Sequence, residues 1–182
     1  MKSEYISPHE LNTLMQVMHP ANALAFELSM ITGWRIGDVL SIKTSELCEE
    51  MTITEQKTGK KSKKRIPYAL FCRLQAFSGE KWLFQGRNAE KHRTRQAVWA
   101  DVRRSARRAG IEAHVSPHSA RKVFAVNDCK VNGLSHTQRE LNHRDSAVTA
   151  LYAFSDTMIP DFKLDELACI IAEKVLDRIK NS

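Results

Sequence analysis

Helix-start signals followed by apolar residues at helical spacing constrain the fold of this chain more than any other feature. The segment SPHE at residues 7–10 combines an N-cap residue, a proline at the first helical position and a glutamate at the third. Thr94 and Ser116 open later segments in a similar way. The patterns predict helices at about 8–18, 20–31, from 35, 69–77, 95–110, 117–131, from 135, from 146 and 161–180.

One stretch departs from the helical pattern. Residues 51–54 alternate in the way of a β-strand, and the basic stretch GKKSKKR at 59–65 leads into a second β-prone segment at 66–68. These segments predict a small antiparallel hairpin with a lysine-rich tip, and residues 82–84 predict a further short strand. The expected fold is therefore α+β: mainly α with a small antiparallel β hairpin, in one domain covering residues 1–182.

The net charge of +7 favours a polyanionic partner. No apolar run approaches the length that a membrane span requires, so nucleic acid is preferred to a membrane. The four cysteines are far apart and form no C-x-x-C pair, which predicts reduced thiols rather than a zinc ribbon. An RNA-binding structural protein would explain the charge equally well and stays an alternative at this point.

Several residues could take part in chemistry on a phosphate. His118 and Arg121 lie three residues apart in the first turn of a predicted helix and share a face, where exposed N–H groups also favour an anion. Arg35 begins another helix and could form an i,i+3 pair with Asp38. Lys57 precedes a run of cations. Each group also has an ordinary interpretation as a solvated surface charge.

The segment HRDSAVTALY at residues 143–152 places His143 nine residues before Tyr152. A tyrosine on a short helix usually packs in the core or at its rim. It becomes a nucleophile only with help from cations and a base, because its ordinary pKa is near 10.

Taken in order, these residues form a pattern: T-G-x-R-x-x-D, K-T-G on a hairpin, H-x-x-R at a helix start, a histidine, and a tyrosine nine residues later. The pattern resembles the catalytic domain of the tyrosine recombinase (phage integrase) family, and the resemblance covers essentially the whole chain. It implies a tyrosine recombinase catalytic-domain fold and a site-specific DNA recombinase or integrase. The catalytic residues would be Arg35, Lys57, His118, Arg121, His143 and the nucleophile Tyr152.

The resemblance implies a mechanism without metal, ATP or other cofactor. Tyr152 would attack a DNA phosphodiester to form a 3′-phosphotyrosyl link, and a 5′-hydroxyl would reverse the step. Arg35 and Arg121 would stabilise the charge on the phosphate, and Lys57 would protonate the leaving oxygen. His118 would take the phenolic proton and His143 would donate a hydrogen bond.

The chain departs from the family pattern at three positions. Asp38 stands where glutamate is usual, in the same supporting role, and Lys122 replaces the histidine of H-x-x-R-H. Asn142 stands where many members have the glycine of L-G-H. None of these changes removes a presumed catalytic group, so activity is expected.

The resemblance also bears on organisation and partners. From the resemblance we expect residues 1–182 to lack the N-terminal core-binding domain and any arm-binding domain usual in the family, so the chain would be either a fragment or a short recombinase. The C-terminal helix, residues 161–182, is expected to dock either on its own domain or in trans. The expected partners are double-stranded DNA, further copies in a tetramer on two duplexes, and accessory DNA-bending proteins, in the bacterial cytoplasm at the nucleoid.

Further basic residues are candidates for DNA contact: Lys60, Lys61, Lys63, Lys64, Arg65, Arg93 and Arg95. Two alternatives in function remain open on sequence grounds. One is a non-catalytic DNA-binding regulator or a lapsed recombinase, and the other is a strand-breaking enzyme like a type IB topoisomerase.

Overall fold

A computed structural model describes residues 6–142 of the chain. The chain divides into two compact units, residues 1–124 and 125–182. The predicted helices from 146 and at 161–180, together with His143 and Tyr152, lie outside the described residues.

The described residues are mainly helical and include one two-stranded antiparallel sheet, which confirms the predicted fold class. A single turn of 3-10 helix, Thr44–Glu46, precedes the sheet. The elements are α1 Pro8–Val17, α2 Pro20–Thr32, α3 Ile36–Leu40, β1 Glu50–Thr54, β2 Lys61–Arg65, α4 Tyr68–Phe77, α5 Arg95–Arg108, α6 Pro117–Asn132 and α7 Leu134–Glu140.

The predicted helix starts at residues 7 and 94 are confirmed by their hydrogen bonds. The Glu10 N–H donates to the Ser7 hydroxyl at 3.3 Å, and the Ser7 N–H donates to the Glu10 carboxylate at 2.9 Å, which completes a capping box. The Ala97 N–H donates to the Thr94 hydroxyl at 3.1 Å. These caps satisfy N–H groups that have no partner inside their helices.

The hairpin forms at the predicted place, but its second strand was predicted wrongly. Lysine-rich residues 61–65 form β2, whereas residues 66–68 lead into α4. The physical reason is the two-residue period of a strand: Ser62 is buried while Lys61 and Lys63 point to solvent. The Ser62 hydroxyl accepts a 2.8 Å hydrogen bond from the buried Trp34 indole, so the one short side chain of the strand meets the core.

Two smaller predictions also need correction. The strand expected at residues 82–84 is only an isolated bridge between Lys43 and Trp82. The helix predicted from residue 135 begins at Leu134. Its N-cap is Gly133, with a φ of +80°, so Ser135 lies inside α7.

The core of the first unit lies around α2, which contacts α3, α4 and α5, while α1 packs on α5. Its buried apolar residues come from the helices and from β1 and include Phe26, Leu40, Met51, Leu70 and Val98. Because α3 and the hairpin are both anchored in this core, the polar residues beside them have fixed positions.

In the second unit, the described residues 125–142 comprise the end of α6 and α7. The Asp128 carboxylate accepts hydrogen bonds from Thr137 at 2.7 Å and Asn132 at 2.9 Å, and it pairs with His136 at 2.9 Å. These contacts join the two helices. Asn142, which stands where many members of the family have glycine, has a φ of +50°. Asparagine is among the few residues other than glycine that tolerate this conformation.

Gly33 has a conformation and a packing position that only glycine fits well. It ends α2 with a φ of +72°, and a Cβ built on it would lie 2.6 Å from the Phe124 ring. Its carbonyl oxygen accepts a hydrogen bond from the buried Arg121 guanidinium. Gly33 therefore connects the end of α2 with the start of α6, two residues before Arg35.

Within residues 6–142, no helix combines the length and the apolar character needed to cross a bilayer.

We expect Gly33→Ala to lower the free energy of unfolding by about 2–4 kcal/mol, because it adds backbone strain to a clash with Phe124. Gly110 is the matched control, because it has a φ of +68° and no atom within 4 Å of a built Cβ. Gly110→Ala should cost only about 1–2 kcal/mol. Urea denaturation measures both, and equal losses would contradict the packing account of Gly33.

Candidate active site

A cleft of about 420 Å³ in the first unit brings together residues from four separate segments of the chain. Its walls come from the start of α3, the loop between β1 and β2, the start of α5 and the first turn of α6. The basic residues that line it are Arg35, Lys57, Arg95, His118 and Arg121. Four of the six predicted catalytic residues therefore lie in one place.

Arg35 is the N-cap residue of α3, and its backbone is fixed by the residue before it. The Ser29 hydroxyl donates to the Trp34 carbonyl at 2.7 Å, and the Trp34 indole donates to Ser62 on the hairpin. The Arg35 Nη1 atom lies 2.6 Å from an Oε atom of Glu55 in a salt bridge. Arg35 is consequently held against the hairpin from both its backbone and its side chain.

Asp38 does not form the predicted ion pair with Arg35. One of its carboxylate oxygens accepts a hydrogen bond from the Gln56 N–H at 3.0 Å, and the other is buried without a hydrogen-bond partner among the described residues. Burial raises the pKa of Asp38, while the Gln56 N–H and the charge of Arg35 act in the opposite direction. Asp38 therefore supports the loop after β1 rather than the guanidinium directly.

Glu55 is the carboxylate that Arg35 contacts, and the sequence interpretation did not single it out. It lies twenty residues after Arg35 and is buried, with 1% of its surface exposed. The available signal was its place in E-Q-K-T-G: a lone acidic residue two positions before Lys57, at the edge of a run of cations. A buried carboxylate there needs a cation for a partner.

His118 and Arg121 occupy the first turn of α6, as predicted. Arg121 is buried and donates to the Gly33 carbonyl, which orients its guanidinium beside the start of α3. The His118 N–H donates to the Ser116 hydroxyl at 3.2 Å, and its side chain lines the cleft.

The surroundings of His118 keep its imidazole neutral near pH 7. Partial removal of water from the ring, together with the charges of Arg121, Lys122, Arg35 and Lys57, lowers the pKa of His118 to about 4. Burial disfavours the charged imidazole, and the four nearby cations act in the same direction. A neutral imidazole is the form that can accept a proton.

Only some of the other basic residues predicted to contact DNA or to support the site lie at the cleft. Arg95 lines the cleft and its side chain crosses Gly37, while Lys122 is buried on α6. Arg93 lies elsewhere, with its guanidinium 3.4 Å from His19. The exposed candidates on the loop and on β2 are Lys60, Lys61, Lys63 and Arg65, and Lys64 lies over the Phe124 ring.

The described residues contain no group of three or more His, Cys, Asp or Glu side chains that could hold a metal ion. The roles of all six candidate catalytic residues stay predictions.

The chain belongs to the phage integrase family, because residues 4–158 match the model of that family. The tyrosine recombinase XerD of Ralstonia nicotianae is 29% identical over 140 residues, which cover 69% of this chain and 46% of XerD. The XerD of Lacticaseibacillus casei is 31% identical over 144 residues, covering 70% of this chain and 48% of that protein. The chain thus spans about half the length of these relatives.

Solved structures share the fold. A lambda integrase (75–356) dimer bound to a COC′ core site has a TM-score of 0.74 at 16% identity, covering 87% of this chain and 62% of that one. The catalytic domain of bacteriophage HP1 integrase has a TM-score of 0.66 at 19% identity, covering 86% of this chain and 90% of that domain. XerA recombinase has a TM-score of 0.68 at 21% identity, covering 82% and 58%.

We expect the imidazole of His118 to protonate near pH 4 in the free protein, because burial of the ring and the nearby cations both oppose its charge. Proton NMR titration of the seven histidines measures this, with His118→Gln assigning the signal. Core amide resonances report whether the fold persists across the titration. A midpoint at about 6.5, the ordinary value for histidine, would contradict the electrostatic account of the cleft.

Proposed function

We propose that the chain carries out site-specific DNA strand exchange through a covalent 3′-phosphotyrosyl intermediate, with Tyr152 as the nucleophile. The observation that supports this most is the convergence of Arg35, Lys57, His118 and Arg121 in one cleft, in a member of the phage integrase family. These residues come from three distant parts of the sequence, and each has a side chain suited to one part of a phosphoryl transfer.

The two arginines provide the electrostatic stabilisation. Negative charge gathers on the non-bridging oxygens of the attacked phosphate, and guanidinium groups offer forked donors that match these oxygens. Arg121 is fixed by Gly33, and Arg35 is fixed by Glu55, so neither must be reoriented in the transition state. Removing one donor of this kind typically costs about 10²–10³-fold in rate.

Proton transfers accompany the exchange of oxygens. Neutral His118 accepts the phenolic proton of Tyr152 as its oxygen bonds to phosphorus. The bond to the 5′-oxygen breaks, and Lys57 gives that oxygen a proton. His143 donates a hydrogen bond to the phosphate. Asp38 supports the loop that carries Lys57 through Gln56, and Lys122 has a supporting role beside Arg121 on α6.

The reaction conserves the energy of the broken bond. One phosphoester replaces another, and the 5′-hydroxyl of a partner strand later displaces the tyrosine by the reverse route. We propose on this basis that rejoining needs neither ATP nor a cofactor. Exchange between two duplexes requires several copies of the chain, so self-association on DNA, with residues 161–182 as the contact, belongs to the same proposal.

Exposed cations beside the cleft provide a path for the DNA backbone. Lys60 and Lys61 follow the cleft residue Lys57 along the chain, and Arg95 lies at the cleft itself. Such contacts release counterions and give affinity with little dependence on sequence. We propose that these residues contact DNA phosphates, and that the protein acts in the cytoplasm at the nucleoid with accessory DNA-bending proteins as further partners.

The direct test is capture of the covalent intermediate. We expect the protein to form an adduct on a denaturing gel with a pool of nicked duplexes of randomised sequence, in the presence of EDTA. Tyr152→Phe should abolish the adduct and retain DNA binding, because only the nucleophilic oxygen is removed. Tyr68→Phe is the matched control, since Tyr68 is 67% exposed and lies outside the cleft.

The other outcomes separate the competing functions. DNA binding without any adduct would favour a regulator or a lapsed recombinase and would contradict the proposal. If the protein relaxes supercoiled plasmids of any sequence and transfers no strands between duplexes, it is a topoisomerase. An adduct that survives Tyr152→Phe would assign the nucleophile to another residue.

A further inference from the structure

Glu55 is a buried carboxylate placed between the Arg35 guanidinium and the loop that carries Lys57. It follows the last residue of β1, and 1% of its surface is exposed. The same Oε2 atom accepts two hydrogen bonds, one from Arg35 at 2.6 Å and one from the Thr58 hydroxyl at 2.8 Å. A single oxygen therefore connects the arginine to the loop.

The loop itself is closed on Glu55 by main-chain hydrogen bonds. The Glu55 N–H donates to the Lys60 carbonyl at 2.9 Å, and the Gly59 N–H donates to the Glu55 carbonyl at 2.8 Å. The Gln56 N–H donates to Asp38 at the start of α3. Lys57 lies between these fixed points, so its backbone position depends on the contacts of its neighbours.

Burial makes the position of this carboxylate well defined. A buried charge is costly unless its hydrogen bonds are satisfied, so Glu55 must keep its donors close. Any movement of the loop away from Arg35 would separate Thr58 or Arg35 from the carboxylate. The pair therefore resists changes in the distance between the arginine and the lysine.

The geometry also bears on whether Glu55 blocks the site. The side chain of Arg35 is 26% exposed, whereas that of Glu55 is 1% exposed. Glu55 thus lies on the protein side of the guanidinium, and a phosphate would approach from the solvent side. The carboxylate and the phosphate need not compete for the same face of the arginine.

We propose that Glu55 is a positioning residue that holds the Lys57 loop in register with Arg35, so that leaving-group protonation and charge stabilisation act on one phosphate. This inference rests on the proposed function, in which Lys57 protonates the departing 5′-oxygen.

The first experiment needs no DNA. NMR hydrogen exchange in the full chain should show faster exchange of the Gln56 and Gly59 amides in Glu55→Ala and Thr58→Val, because both changes release the loop. Glu50→Ala is the matched control: Glu50 is a glutamate of the same hairpin, in an exposed ion pair with Lys63 at 2.5 Å. Unchanged exchange in Glu55→Ala, with core amides as in the wild type, would overturn the proposal.

The second experiment measures single-turnover cleavage of duplexes selected by wild-type adduct formation, with either a normal 5′-oxygen or a bridging 5′-sulfur at the scissile phosphate. A thiolate leaves without a proton, because thiols have a pKa near 8.5. We expect Thr58→Val and Glu55→Ala to cleave the oxygen DNA more slowly, by up to about 10²-fold for Glu55→Ala, the lower range for general acid catalysis.

On the DNA with a bridging 5′-sulfur, Thr58→Val should cleave at the wild-type rate and Glu55→Ala should recover part of its rate. Lys57→Ala should recover on the same DNA, because its missing proton is no longer needed. Glu55→Gln, which keeps an acceptor oxygen, should fall between wild type and Glu55→Ala. The proposal would be overturned if Glu55→Ala and Thr58→Val were slowed equally on the oxygen and the sulfur DNA. Cleavage by Glu55→Gln that is faster than by the wild type would also overturn it. Failure of the wild type to form any adduct would instead contradict the proposed function, and the exchange result would still decide whether Glu55 fastens the loop.

Discussion

The salt bridge between Arg35 and Glu55 is the contact on which the arrangement of the cleft depends. It joins the start of α3 to the end of β1, through two residues that lie twenty positions apart in the sequence. Around it, Trp34 binds the hairpin through Ser62, and Asp38 binds the loop through Gln56. All three links connect the start of α3 to the hairpin and its loop.

The cleft concentrates positive charge. Arg35, Lys57, Arg95 and Arg121 line one cleft, where their mutual repulsion is offset by the buried carboxylates of Glu55 and Asp38. Burial of the imidazole, together with the charges of nearby cations, lowers the pKa of His118, so this residue stays neutral and adds no further charge to the cleft. The positive charges that help to keep the imidazole neutral also make the cleft attractive to a phosphate.

Much of the fold could be predicted from local signals. The caps at Ser7 and Thr94 depend on residues within one turn, and the structure has them where they were predicted. The second strand could not be located in the same way, because a lysine-rich stretch is also typical of a solvated turn. Only the hydrogen bond between Trp34 and Ser62, a contact across the fold, shows that residues 61–65 pack as a strand. Glu55 was missed for a related reason: its significance lies in a contact with Arg35 across the fold. His143 and Tyr152 lie outside the described residues, so their roles rest on sequence pattern and family.

The most direct test of the account is a structure of the Tyr152→Phe protein bound to a duplex selected for adduct formation. We expect one DNA phosphate within hydrogen-bonding distance of both Arg35 and Arg121, with the Lys57 amine beside the 5′-oxygen of that phosphate and Glu55 still bound to Arg35. DNA bound on another surface, with no phosphate between the two arginines, would contradict it.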